Sequence, residues 1–286
     1  MNLVAIVLNW NGGTDLPAAL ESLQGIPTIC VDNDSTDGSD ELVAERFPQV
    51  ELLRTGANLG FAAGNNVGIE RALERGADWV LLMNNDAVAE PGLQEALEAA
   101  AHTRPDAGML ACKLLNLDGS VQFQGAQFNT RLGYSPRPAS SAATPSDTGR
   151  ADGAGVAVSR QAIERAGLLD EALFMYVEDV DWSLRIRNAG FAVVLVPDAV
   201  IRHKGSAAPG GGPSASSLYY DTRNTIAVSE RYAPLPPGPR GLRRGVVVGA
   251  HLAQAVRQPG RLGAMRAVLA GWRDARAGRL GQRSSS

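Results

Sequence analysis

Four times in the first hundred residues, an apolar run gives way to a polar turn and then to apolar residues at helical spacing. The runs are LVAIVLNW (3–10), TICVDN (28–33), VELLRT (50–55) and DWVLLMNND (78–86). A run that is apolar at consecutive positions is buried on both faces, which predicts strands of a parallel sheet. After the first run, Leu16, Ala19, Leu20 and Leu23 recur at intervals of three and four, the mark of a helix. Pro91 stands at the first turn of the fourth predicted helix. Strand and helix in alternation predict an α/β fold, a mainly parallel sheet flanked by helices. Ligands of such sheets sit beyond the carboxyl ends of the strands. Polar residues collect there: Asn9 and Asn11, then Asp32, Asn33 and Asp34, then Asn84, Asn85 and Asp86.

The second half has a more mixed pattern. GMLACKLL, VQFQGAQF, GAGVAVS and FAVVLVP read as strands, and LYYDTRNTIAVSERY reads as a helix stopped by PLPPGP. Two stretches, 135–150 and 206–217, are rich in Pro, Ser, Ala and Gly and are expected to be loops. Beyond them, residues 240–286 place apolar residues at helical spacing with Arg between, and Pro259-Gly260 divides the stretch into two helices.

Charge sharpens this division. The net charge of −3 conceals ten Arg and one acid, Asp274, in residues 240–286, on a body with twelve more acids than bases. Such a tail suits an anionic surface, membrane or nucleic acid. Its interleaved Leu, Val, Met and Trp272 favour the bilayer, and no nucleic-acid partner is expected. Packing of the tail against the domain, or against a second copy in a homodimer, is the alternative. Hydrophobic content of 44% supports a sizeable core. Cys30 and Cys112 lie in apolar runs and are expected to be buried free thiols. The start has no basic leader, and no uncharged apolar run is long enough to span a bilayer. Together these predict a cytoplasmic protein.

Dinucleotide binding through G-x-G-x-x-G is excluded, because the first turn reads NWNGGTD. Carboxylates and amides in VDNDSTDGS could bind a base or ribose, or they could serve only the turn and the helix cap. The carboxylate ending LLMNNDA, Asp86, suits Mg²⁺ or Mn²⁺, which take few protein ligands and fill their shells with phosphate and water. His203, before Lys204-Gly205-Ser206, could be a further ligand or a structural His. In LFMYVEDVDW, three acids crowd one helix entrance: Glu178, Asp179 and Asp181. The helix dipole favours such acids, and Asp181 could pair with Arg185 one turn on. But one acid suffices for a cap, and the apolar LFMYV would desolvate a carboxylate and raise its pKa, as a general base requires.

In this order IVLNWNG, VDNDSTDGS, NLGFAAGNNVGI, LLMNNDA, DGAGVAVSRQAIERAGLLDEALFMYVEDVDWSLRIRNAGF, HKGS and YYDTRN resemble the family 2 glycosyltransferases of GT-A fold, rhamnosyltransferase-like branch, over residues 3–228. The resemblance implies a Rossmann-like GT-A domain at 1–232, with a nucleotide-sugar half (1–116), an acceptor half (117–232) and a helical tail at 233–286. It implies an inverting transfer from a nucleotide-diphosphate sugar, dTDP-rhamnose or a UDP-sugar, to a hydroxyl of a cell-surface glycan or lipid-linked saccharide. Asp179 would be the base. Asn9, Asp32, Asn33, Asp34, Gly60, Asn65, Asn66, Asn84, Asn85 and Arg223 would line the donor, with Asn224 assisting. Glu178, Asp181 and Trp182 would shape the acceptor pocket, Trp182 as a stacking surface. Asp86 and His203 would hold Mg²⁺ or Mn²⁺, although Asn84 stands where a D-x-D motif has its first acid. The other classes weighed are a nucleotidyltransferase, which needs a basic phosphate loop absent from NWNGGTD, and a non-catalytic nucleotide-sugar binder, which needs no Asp179.

Overall fold

The structure, a computed structural model, describes residues 1–135, 143–205 and 212–283. Among them ten strands form one sheet, with helices packed against it. The first half follows the predicted alternation. Strands β1 (Leu3–Asn9), β2 (Thr28–Asp32), β3 (Glu51–Arg54) and β4 (Trp79–Asn84) are parallel, in the order β3-β2-β1-β4. Helices α1 (Leu16–Ser22), α2 (Ser39–Arg46) and α3 (Gly60–Glu74) connect them. Residues of β1 and β2 are buried almost throughout, as double coverage demands. Helix α3 seats closely on β1 because Gly68 faces it: a Cβ there would lie 2.6 Å from Ile6 Cγ2.

Beyond β4 the sheet is mixed. It continues through β5 (Ala87–Ala89), α4 (Leu93–Thr103), β6 (Ala107–Leu115), β7 (Val121–Phe123), β8 (Ser146–Asp147) and β9 (Gly155–Ser159). Then come α5 (Arg160–Ala166), a 3₁₀ turn (Glu171–Leu173), α6 (Glu178–Asn188) and β10 (Ala192–His203). Strand β9 is antiparallel between β4 and β6, while β10 is parallel to β6. The sheet therefore crosses the expected boundary at 116 without a break. The strand expected over 121–128 ends at Phe123. The strand expected at 191–197 instead runs on to His203, past Pro197, through a register shift between Val196 and Val200.

Three helices complete the chain: α7 (Ala215–Tyr232), α8 (Pro237–Ala255) and α9 (Arg261–Arg276). The stretch 206–217, expected to be a loop, gives its last three residues to α7, capped by the Ser214 side chain. Residues 136–142 and 206–211 of the two expected loops lie outside the described residues. The basic tail is not an appendage. Leu218, Ala255, Ala264 and Val268 form a shared core of α7, α8 and α9. Gly271 lets α9 approach α7 so closely that a Cβ would stand 2.4 Å from the Tyr219 carbonyl oxygen. Among the described residues no helix is long and apolar enough to cross a membrane. Cys30 and Cys112 are free and buried.

Candidate active site

Strand direction decides what meets at one edge of the sheet. The parallel pairing aligns Asn9 with Asp32 and Leu8 with Asn84, so the carboxyl ends of β1, β2 and β4 lie together. Because β9 is antiparallel, its beginning, Gly155, stands opposite Met83 at the end of β4. This brings the preceding loop, Arg150–Ala154, to the same edge. Strand β10 ends there too, with His203 opposite Ala87, next to Asp86.

The donor-side residues form a hydrogen-bonded network. Asn9 Nδ2 donates to Asp32 Oδ1 (3.0 Å) and Ser39 Oγ (2.8 Å), and Asn9 Oδ1 accepts from Asn85 Nδ2 (3.0 Å). Asn33 is a latch for residues 58–60: it accepts from the Leu59 N–H (3.0 Å) and donates to Gly60 O (3.1 Å). Asn65 donates to Phe61 O and Asn66 to Leu169 O. Asn9, Asn33, Asn65 and Asn66 are buried and spend amide hydrogens inside the protein, whereas Asp34 is exposed, with left-handed backbone.

At the end of β4, His203 Nε2 lies 3.2 Å from Asp86 Oδ1 and 3.2 Å from Asn84 Nδ2, and Nδ1 lies 2.8 Å from Gln122 Oε1. With Nδ1–H shared with Gln122, a proton on Nε2 meets the Asp86 carboxylate; burial lowers the His203 pKa, but this contact and the Asp86 charge outweigh it and raise it. Burial pushes Asp86 up, but the His203 contact and charge outweigh it and hold the carboxyl below its usual range. Among the described residues no three His, Cys, Asp or Glu side chains form a metal cage. One carboxylate and one imidazole, whose Nε2 proton a cation would replace, fit a cation that completes its shell with substrate oxygens and water, the habit of Mg²⁺ and Mn²⁺.

A cavity of about 900 Å³ opens beside this pair. Its wall joins Asn84, His203 and Gln122 to Arg150, Asp152, Glu178 and Asp179. Asp179 Oδ2 accepts from the Gly153 N–H (3.2 Å) and lies 3.6 Å from Arg150 Nη1. Burial raises the Asp179 pKa to about 6; Arg150 opposes the rise and Asp152 adds to it. Glu178 is 5% exposed, and its Oε2 has no hydrogen-bond partner among the described residues. Burial, with the neighbouring Asp179 charge, pushes its pKa well above the usual 4.5.

That direction gives a prediction. Folded Glu178 keeps a proton that the unfolded chain releases above 4.5, so its contribution to stability declines as pH rises toward the folded pKa. Glu178→Gln cannot ionise. Its stability should gain on the wild type across that window, by about 1.4 kcal/mol per pH unit while the wild-type carboxyl stays protonated. A pH-independent difference in calorimetric scans would refute this.

The segment that presents these two acids is strained. Phe174, Tyr176 and Val177 all have positive φ (65°, 66° and 71°), which is costly for bulky and β-branched side chains. The clamp that holds it comes from α7. Asn224 Nδ2 lies within 2.9 Å of the Leu173, Met175 and Tyr176 carbonyl oxygens, and Arg223 Nη2 donates to Leu173 O (2.9 Å). This corrects the expected placement of Arg223 at the donor. The guanidinium is buried, stacks on Tyr219 and Tyr220, and donates to Gly281 O (2.6 Å). Asn224→Ala should cost about 2–3 kcal/mol by leaving buried carbonyls unpaired. It should also lower kcat with little change in donor KM; loss of stability without loss of kcat would show that the clamp does not serve the acids.

Two acceptor-side expectations are likewise corrected. Asp181 is fully buried and accepts from Arg185 Nε (2.8 Å), Arg231 Nη1 (2.7 Å) and Tyr232 OH (3.0 Å), so its lone pairs are committed. Trp182 is 1% exposed and its indole N–H donates to Gly167 O (2.8 Å), which leaves no face for a sugar. Conversely, the wall holds residues given no role from sequence: Gln122, Arg150, Asp152, and a pair from the last helices, Asp221 and His251. His251 Nε2 lies 3.1 Å from Asp221 Oδ2 and Nδ1 lies 2.8 Å from Val247 O. The Asp-Gly step at 152–153 was a readable turn signal. Nothing in the sequence links Asp221 to a His thirty residues away.

Comparison with known proteins settles the kind of molecule. The family model "Glycosyltransferase like family 2" matches residues 27–222. The chain belongs to glycosyltransferase family 2. It is 31% identical over 261 residues to N-acetylglucosaminyl-diphospho-decaprenol L-rhamnosyltransferase of Mycobacterium tuberculosis, covering 81% of this chain and 85% of that one. The dTDP-rhamnosyl transferase RfbF of Shigella flexneri is 25% identical over 212 residues, 71% and 69% of the two chains. Among solved structures, the mannosyltransferase PcManGT of Pyrobaculum calidifontis, in complex with GDP-Man and Mn²⁺, superposes with a TM-score of 0.56 at 17% identity, over 96% of this chain and 75% of that one. The GT-A arrangement of this glycosyltransferase is thus shared with a protein of low sequence identity.

Proposed function

We propose that this glycosyltransferase moves a sugar, rhamnose by preference, from a nucleoside diphosphate to a hydroxyl of a lipid-linked or cell-surface saccharide, with inversion. The observation that carries the reading is that Asp179 shares one cavity wall with Asn84 and His203. A base and a diphosphate-binding edge so placed can hold acceptor and donor in line, which supplies much of the rate. Asp32, Asn84 and Asn85 line the donor side. Asp86 and His203 would hold a divalent cation, which when bound offsets the charge that builds on the departing diphosphate.

The protein's own groups do the rest. Asp179, ionised above about pH 6, takes the proton of the acceptor hydroxyl. The acceptor oxygen forms its bond to the anomeric carbon as the bond from that carbon to the phosphate oxygen breaks, and the diphosphate leaves with the electron pair. Glu178, whose burial favours the protonated form, offers a hydrogen bond from Oε2 to the acceptor. The relatives from Mycobacterium tuberculosis and Shigella flexneri support rhamnose and dTDP, and the former supports a diphosphoprenol acceptor.

A thermal-shift panel of dTDP, UDP, GDP and their sugars, with and without Mn²⁺, tests the donor; stabilisation by none of them would end the reading. We also place the enzyme at an anionic inner membrane surface, held by Arg257, Arg261 and Arg266, which are exposed on α9 and the turn before it. Reversal of these three charges to Glu should release it from phosphatidylglycerol vesicles in a flotation assay. Unchanged flotation would sink the placement. Deletion of the tail is no substitute, since α8 and α9 complete the core around Leu218.

A further inference from the structure

The outward face of α8 departs from what water demands of a surface helix. Leu242 is 73% exposed and Val246 48%, and Gly245, Gly249, Ala250 and Ala253 share their solvent exposure without a single charge. Exposed apolar residues scattered singly need no explanation, but a continuous uncharged helix face does. Val246, Ala250 and Gln254 follow one another at intervals of four, and all three belong to the cavity wall. Leu242 extends the same line one turn beyond the wall, toward the outside. Beside α8, where Gly133 packs on Val247, stand two more exposed side chains of the wall, Leu132 (53%) and Tyr134 (58%). They are not loosely placed. Buried Arg243 donates to Thr130 O (3.1 Å), Ser229 O (3.2 Å) and Ala233 O (2.7 Å), tying the 129–134 turn to α7 and α8.

The cavity thus has two kinds of wall. One part carries Asp179, Glu178 and His203, and another is apolar, with Leu132, Tyr134, Val246 and Ala250 exposed at the protein surface. A cation stands at this edge: Arg131 adjoins Leu132 and is exposed. An occupant that satisfies both ends is an amphiphile with a sugar at one end, a hydrocarbon chain at the other and an anionic link between.

We infer that the channel between Leu132–Tyr134 and the Leu242–Val246 line of α8 binds the hydrocarbon chain of a prenyl-diphosphate acceptor, guiding its sugar toward Asp179. The inference rests on the acceptor class proposed above and adds where the chain lies. It makes α8 part of the acceptor site and gives the enzyme a reason to prefer long-chain over water-soluble acceptors, since each methylene shielded from water strengthens binding about fourfold.

Two measurements test it. With dTDP-rhamnose as donor, N-acetylglucosamine diphosphate would be offered on a decaprenyl chain and on a methyl group. The wild type should show the lower acceptor KM with the long chain. The Leu242→Ser, Val246→Ser double variant, altered only at exposed positions, should raise that KM about tenfold. It should leave KM for the methyl acceptor and for the donor unchanged. Equal effects on both acceptors, or none on either, would overturn the channel. The second measurement needs no turnover. A benzophenone-tagged prenyl diphosphate should crosslink within 132–134 and 242–250, and crosslinks elsewhere would overturn the proposal. If crosslinks fall in the channel while the wild type transfers rhamnose to neither acceptor, the channel stands and the proposed reaction fails.

Discussion

Replacement of Asp179 by Asn is expected to lower kcat by about a hundred- to ten-thousandfold, the usual worth of a positioned general base, with donor affinity retained. The amide keeps the size of the carboxylate and can still meet the Gly153 N–H through its carbonyl oxygen, but it cannot take a proton. Arg150, 3.6 Å away, then loses the nearer of its two anionic partners and keeps Asp152 at 3.9 Å, so a modest change in stability should accompany the kinetic effect. The wild-type pH profile carries the same signature. Burial pushes Asp179 up to about 6, so kcat/KM should fall on the acid side as pH drops through about 6 and level off above it. Burial and the Asp179 charge push the adjacent Glu178 up as well, so the two carboxyls titrate as a pair. Transfer that persists in the Asn variant would assign the base elsewhere. A profile flat down to pH 5 would show that Asp179 is not desolvated when the enzyme works.

The second large effect is expected at Asp86. Asp86→Ala should reduce transfer by about a hundred- to thousandfold through loss of charge stabilisation at the diphosphate. Activity alone would not separate this from misfolding, so binding is the sharper readout. Wild-type protein should melt higher when Mn²⁺ is added with the nucleoside diphosphate, and the Ala variant should lose that increment while keeping its basal melting temperature. His203→Ala should behave in the same way. Gln122→Ala should weaken the Mn²⁺ effect by about tenfold, because the Gln122 contact at 2.8 Å fixes the ring. A full Mn²⁺ response in Asp86→Ala would remove Asp86 and His203 from the metal's role.

What could be read from the sequence was whatever depends on near neighbours along the chain. Continuous apolar runs gave four parallel strands, and spacing of three and four gave the helices between them. Strand ends gave the polar edge with Asn9, Asp32, Asn84 and Asp86. Pro259-Gly260 separated α8 from α9, and the i,i+4 pairing of Asp181 with Arg185 is present at 2.8 Å. Periodicity tells which positions are buried or turned, and the order of seven short motifs tells which family they belong to.

What the tertiary structure decided was which way polar side chains face. Trp182, Asp181 and Arg223 lie in or near motifs that looked functional, yet each is consumed by partners between 4 and 58 residues away. A side chain's role depends on whether its hydrogen-bonding capacity is already spent, and those partners come from distant segments. The antiparallel insertion of β9 brought Asp152 beside Asp179, and the docking of α8 brought His251 and an uncharged face to the cavity. A basic amphipathic tail has the same periodicity whether it lies on a bilayer or packs on its own domain. The core around Leu218 and the closeness that Gly271 permits between α9 and α7 show that one face of the tail packs on the domain, through contacts between residues about fifty positions apart.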